Sequence, residues 1–116
     1  MVFMLDKVIE IGILFDFYGE LLTEKQQKAI RLYYYQDLSL SEIAERLRIS
    51  RQGVYDHLQR GEETLREYEK KLKLINRYKL LKRELEELEE EVKEYKMDHT
   101  VKSRLIKRVE RIKKHL

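Results

Sequence analysis

The chain of 116 residues contains no cysteine and no proline, and only four glycines, at positions 12, 19, 53 and 61. Without thiols it can form neither disulfides nor thiolate zinc sites, which fits a reducing compartment. Without proline, and with Leu, Glu, Lys and Arg abundant, little in the composition interrupts a helix. Long apolar runs are missing too: the longest spans a few residues, against the roughly 20 that a bilayer crossing requires. The opening MVFMLDKVIEIG mixes Asp6 and Glu10 with its apolar residues and has no basic n-region, so it does not read as a signal peptide. These absences lead us to expect a cytoplasmic all-α protein without integral membrane association, about one domain in size.

What is present is unevenly charged. Residues 1–22 carry a net charge of −3, whereas residues 97–116 carry +5, so the overall +3 conceals an acidic head and a basic tail. Such asymmetry suits an anionic partner or head-to-tail packing between chains.

Apolar spacing divides the chain into helices. Met4, Val8, Ile11, Phe15, Tyr18 and Leu22 recur at intervals of four and three, one continuous seam over a helix from about Leu5 to Leu21. Ile9, Leu14 and Phe17 add apolar surface on other faces, so this helix is either buried on most sides or a dimer contact. Gly12, which permits close backbone approach, favours the dimer, with Val8, Ile11, Phe15 and Tyr18 as its interface. Thr23-Glu-Lys-Gln26 is a capping box opening a helix to about Tyr35. Ser39-Leu-Ser-Glu42 is a second one, opening a short helix to about Arg46. After a turn at Arg48-Ile49, Ser50 caps a long helix that continues to about Leu74.

From Leu74 a fresh seam begins at Leu74, Tyr78, Leu81, Leu85, Leu88, Val92 and Tyr95, long enough for a coiled-coil-like helix. A break over Met97–Thr100 precedes a basic amphipathic helix, Val101 to Leu116, expected to bury Val101, Leu105, Val109, Ile112 and Leu116. Seven carboxylates between Glu84 and Glu94 could instead pair with its cations across a helical hairpin.

Short helix, tight turn and longer helix in SLSEIAERLRISRQGVYDHL form a helix-turn-helix pattern. Ala44 sits where the two helices cross, Ile49 plugs the turn, and Val54 locks the second helix onto the first. With the preceding helix this makes a trihelical unit that resembles region four of bacterial sigma factors. LFDFYGELLT (Leu14–Thr23), LYYYQDLSLSEIAE (Leu32–Glu45) and SRQGVYDHL (Ser50–Leu58) further resemble the YlxM family of small bacterial helix-turn-helix proteins. That resemblance covers about Leu14 to Leu74 closely. It implies a regulatory role in the signal recognition particle pathway, through the particle's RNA or its GTPases. One departure is Arg48, where such turns usually hold glycine; a left-handed backbone there costs about 1 kcal/mol. The expected architecture is therefore residues 1–74, an N-terminal helix plus the helix-turn-helix core. Residues 75–116 form a helical extension of the same domain.

With Val54, Leu58 and Gly61 facing inward, the outward stripe of the recognition helix is Gln52, Tyr55, Asp56 and Gln59, flanked by Arg51 and Arg60. A sigma-type recognition helix carries arginines on that stripe. Here it is net −1 before its flanks are counted, which suits weak phosphate binding. Gln52 could still read adenine and Asp56 accept from cytosine, while Tyr55 among arginines equally suits stacking on an unpaired RNA base. A protein-docking face stays open as well. The final helix offers Lys102, Arg104, Lys107, Arg108, Arg111, Lys113 and Lys114 as phosphate contacts. The scattered His57, His99 and His115 form no catalytic or metal-ligand spacing, and no phosphate-cradling glycine loop occurs. The expectation is a non-enzymatic regulator without cofactor or metal, a homodimer, with sequence-specific DNA binding as the alternative.

Overall fold

The computed structural model describes residues 2–116, with side chains from Leu5 onward; Met4 of the first seam therefore lies outside the described side chains. Six helices follow in order among the described residues: α1 (Val2–Tyr18), α2 (Glu24–Ile30), α3 (Leu40–Leu47), α4 (Arg51–Leu72), α5 (Leu74–Glu94) and α6 (His99–Lys114). They fall into two compact units, Met1–Lys73 and Leu74–Leu116.

Local chemistry sets the boundaries of the first unit. α1 ends at Tyr18 and tightens into a 3-10 turn over Gly19–Leu21, three residues short of the expected α-helical end. Thr23 caps α2: its hydroxyl accepts from the Gln26 amide, and Gln26 Oε1 accepts from the Thr23 amide, both at 3.2 Å. Beyond Ile30 the helix widens into a π turn over Arg31–Tyr35, where Leu32 and three consecutive tyrosines crowd one turn. Ser39 and Glu42 repeat the reciprocal cap at α3, at 3.1 and 3.0 Å. Arg48 then adopts the left-handed conformation, φ 57°. Its amide bonds Glu45 O at 3.3 Å while the Ile49 amide bonds Ala44 O at 3.1 Å. These two bonds make a Schellman turn with arginine where glycine is the usual occupant.

Burial then assembles the unit. Ile11, Leu14 and Tyr18 of α1 lie in one core with Leu22, Ala29, Ile30, Leu32, Ile43, Val54, Leu58 and Leu65. Ile11 and Tyr18, expected at a dimer interface, are thus taken up by the chain's own core, since α1 packs directly along α4. Tyr18 anchors that packing twice: its hydroxyl donates to Glu69 at 2.5 Å and its ring stacks on Tyr68 at 5.9 Å. Of the other two interface candidates, Phe15 is half-buried against Tyr35 and Arg31, and Val8 stays exposed. A Cβ on Gly61 would meet Ile30 Cδ1 at 2.9 Å, so α2 crosses α4 closely at that residue. A Cβ on Gly12, in contrast, would meet only the Tyr35 hydroxyl at 3.9 Å.

Lys73, left-handed at φ 56°, ends α4 without help from glycine or proline. In the second unit α5 and α6 pack together, joined by residues 95–98, in which Asp98 caps α6 through the amides of Thr100 and Val101. Of the charged pairing weighed from the sequence, one ion pair across the hairpin forms among the described residues: Lys113 reaches Glu89 at 3.0 Å, and Lys93 of α5 itself reaches the same carboxylate at 3.1 Å. The apolar stripe of α6 is nevertheless turned aside. Val109 is buried, but Val101, Leu105, Ile112 and Leu116 are exposed, contrary to expectation. The inward face is instead formed by Lys102, Ile106, Val109 and Lys113, because both lysines are bound to α5, Lys102 through the Lys93 carbonyl at 2.9 Å.

Candidate nucleic-acid interface

The helix-turn-helix consists of α3, the Arg48 turn and α4. Ile43 and Val54 are fully buried and fix the second helix across the first, while Ser50 Oγ accepts from the Gly53 amide at 2.9 Å and starts α4. This rotation leaves Arg51, Gln52, Tyr55, Asp56, Gln59 and Arg60 exposed together on one face.

The middle of that face is occupied by its own neighbours. Gln52 Nε2 donates to Asp56 Oδ1 at 3.1 Å, and Gln59 Nε2 donates to the Tyr55 hydroxyl at 3.2 Å. Both are i, i+4 pairs, which join neighbours on one face of the helix. Arg51, Gln52 and Tyr55 also line, with Leu40, a shallow cavity of about 410 Å³ at the start of α4. An aromatic ring, an amide and a guanidinium around an open hollow are groups that can accept a planar base.

In the second unit the seven cations of α6 divide by environment. Lys113 is held by Glu89 and Lys102 by the Lys93 carbonyl. Arg104, Lys107, Arg108, Arg111 and Lys114 are exposed and make no ion pair among the described residues. Lys107, Arg111 and Lys114 share one shallow depression with Glu110. The resulting surface is predominantly positive, with Glu110 its one carboxylate in that depression.

Sequence reasoning missed one charged group. Glu62 is 3% exposed, with Lys7 Nζ at 3.2 Å and Arg66 Nη2 at 4.0 Å from its Oε1. Burial, and then the Glu62 carboxylate beside it, raises the Tyr34 hydroxyl well above the usual tyrosine range. Arg66 is bound in turn to Glu10 at 2.9 Å, and that hydrogen bond raises its own affinity for its proton. The cluster ties α1 to α4. Its only sequence signal was register: Glu62 directly follows Gly61 on the inward stripe of Val54, Leu58 and Leu65.

Among the described residues no group of three His, Cys, Asp or Glu side chains could hold a metal ion. No helix among them is long and apolar enough to cross a membrane.

Comparison with known proteins agrees with this geometry. The profile of a family described as helix-turn-helix protein, YlxM / p13 like, matches residues 5–109. The UPF0122 protein of Halalkalibacterium halodurans is 51% identical over 89 residues, covering 77% of this chain and 82% of that protein. The UPF0122 protein of Listeria welshimeri is 43% identical over 103 residues, covering 88% and 94% respectively. One from Bacillus cereus is 39% identical over 109 residues, covering 94% and 99%. The matches run through both units, and the family description names a helix-turn-helix and no enzymatic activity. By its helices, its capped turn and these matches, the chain belongs to the UPF0122 family of YlxM/p13-like helix-turn-helix proteins.

Proposed function

We propose that the chain is a non-enzymatic, cytoplasmic regulatory protein that binds RNA of the signal recognition particle, and through it acts beside the particle's GTPases. The observation that carries this reading is the contrast between its two exposed polar surfaces. The face of α4 closes on itself through Gln52–Asp56 and Gln59–Tyr55 and offers cations only at Arg51 and Arg60. The α6 surface offers five cations without an ion pair among the described residues. Phosphate contacts position a nucleic acid and base contacts select it. On this reading α6 supplies the backbone contacts, while Tyr55, Gln52 and Arg51 hold an unpaired base over the hollow beside Leu40. Lys102 and Lys113 are already engaged with α5 and act as packing residues.

Binding to fluorescently labelled particle RNA, to a duplex DNA of equal length and to the purified GTPase tests the reading. Lys107→Ala, Arg111→Ala and Lys114→Ala together are expected to weaken RNA binding and flatten its salt dependence by about two to three contacts. Tyr55→Ala is expected to weaken binding to RNA with an unpaired loop, and not to a fully paired stem. The same helix-turn-helix frame supports a second reading, a sequence-specific DNA regulator, in which Gln52 would read adenine in the major groove. Enrichment of one genomic DNA site at physiological salt, with no preference for particle RNA, would favour that reading and overturn the first.

A further inference from the structure

The second unit carries an apolar face that the pairing of α5 with α6 leaves exposed. Leu81, Leu88 and Tyr95 of α5 and Val101, Leu105 and Ile112 of α6 are between 36% and 68% exposed. Residues advance about 100° per position around a helix. On α5, therefore, Leu81, Leu88 and Tyr95 lie roughly 40–80° to one side of the half-buried Tyr78, Leu85 and Val92. On α6, Val101, Leu105 and Ile112 lie roughly 70–110° to the same rotational side of Lys102, Ile106, Val109 and Lys113. The helices run antiparallel, so both offsets turn toward the same face of the hairpin. The six side chains form one apolar layer across two helices.

Charge along the borders of this layer identifies its occupant. Glu84 and Glu91 border it on α5, and Arg104 and Arg108 border it on α6. All four are exposed, and none forms an ion pair among the described residues. A two-fold axis parallel to the helices would lay α5 of one copy over α6 of another. The Lys102–Lys93 contact sets the level of the two helices. At that register Glu91 stands opposite Arg104 of the second copy, and Glu84 stands close to its Arg108. A two-fold axis perpendicular to the helices would stack acid on acid and base on base, so the pattern selects the first arrangement.

We propose that this hairpin face docks a second copy of the chain, forming a four-helix bundle closed by reciprocal Glu84–Arg108 and Glu91–Arg104 pairs. The layer is about 21 Å long and about 20 Å wide. Two copies would bury on the order of 1,000 Å² in total, at the lower limit for a specific interface. An interface of that size belongs with weak associations, and a dissociation constant on the order of micromolar or weaker is expected. It replaces the α1 seam as the dimer contact, because Ile11 and Tyr18 of that seam are committed to the core. The inference assigns Arg104 and Arg108 of the five unpaired α6 cations to the interface and leaves Lys107, Arg111 and Lys114 for phosphate contacts. Its test reads self-association alone and so stands or falls separately from RNA binding.

Analytical ultracentrifugation of the full chain at concentrations up to about 100 µM tests it. Wild-type protein is expected to self-associate, and Leu88→Lys or Leu105→Lys to be monomeric with unchanged helix content by circular dichroism. Should those variants fail to fold, exposed charges serve instead. Arg104→Glu with Arg108→Glu is expected to weaken association by about tenfold or more. Adding Glu84→Arg and Glu91→Arg is expected to restore it to within about threefold of wild type. A wild-type chain that stays monomeric overturns the proposal. So does association that ignores these substitutions, or a fourfold variant no tighter than the twofold one.

Discussion

Glu62→Gln removes one negative charge from the interior of the first unit while nearly preserving volume. At 3.2 Å and an effective dielectric constant of about 20, the Glu62–Lys7 attraction is about 5 kcal/mol before solvation is counted. Dehydrating the carboxylate offsets several kcal/mol of that. Lys7, with half its side chain in water, can return to solvent when the charge is removed. Arg66 keeps Glu10 at 2.9 Å. The expected net loss is therefore about 1–3 kcal/mol, below that of a fully buried pair. Each kcal/mol lowers the melting temperature by about 4–8 °C in a unit of this size. Lys7→Met should cost less, under about 1 kcal/mol, and the double variant should cost less than the two single losses combined. Urea unfolding gives the energies, and amide exchange in α1 shows whether the loss falls where the tie lies. A Glu62→Gln protein within about 0.3 kcal/mol of wild type, with α1 protection unchanged, would refute the argument.

Further outcomes are expected at three positions. Gly61→Leu should destabilise by about 1–3 kcal/mol, because even a Cβ there meets Ile30 at 2.9 Å. Gly61→Ala should be near neutral, since the terminal methyl of Ile30 can move and alanine favours helix by about 1 kcal/mol; denaturant midpoints separate the two. Arg48→Gly should stabilise by about 0.5–1 kcal/mol by relieving the left-handed arginine, partly offset by the greater freedom of glycine when unfolded. A midpoint unchanged or lowered would argue against strain at that turn. The raised Tyr34 hydroxyl stabilises the fold below the ordinary tyrosine value of 10.0, and that contribution falls as pH rises beyond it toward the folded value. Stability between pH 10 and 12 should therefore fall more steeply in wild type than in Tyr34→Phe, measured by urea titration at each pH.

Much of this fold was legible because its signals are local. Thr23/Gln26 and Ser39/Glu42 are reciprocal caps readable over four residues, and both form as read. Val54, read as locking the second helix onto the first, is fully buried, while Ala44 and Ile49, read at the crossing and in the turn, are half-buried. Which α4 residues face outward followed from the same register; what they bind is a matter of chemistry that helix periodicity does not encode. Other features depend on distant partners. Glu62, in the run GEETLRE, carries no local signal beyond its register, because its partner Lys7 lies on α1. The rotation of α6 was misread because periodicity finds the apolar stripe, whereas Lys102 and Lys113 bind α5 and hold that stripe sideways. The break at Lys73 is marked by neither glycine nor proline. The π turn at Arg31–Tyr35 lies within an apparently ordinary helical pattern.

The central claim is that the cations of α6, rather than the self-paired face of α4, hold a nucleic-acid backbone. Fluorescence anisotropy of labelled signal recognition particle RNA, titrated with the full chain over a range of salt concentrations, tests it most directly. With Lys107, Arg111 and Lys114 replaced by alanine, the slope of log affinity against log salt should flatten by about 2–3, while Gln52→Ala should leave that slope unchanged. Equal slopes for the wild type and the triple variant, or no RNA binding at low salt, would contradict the account.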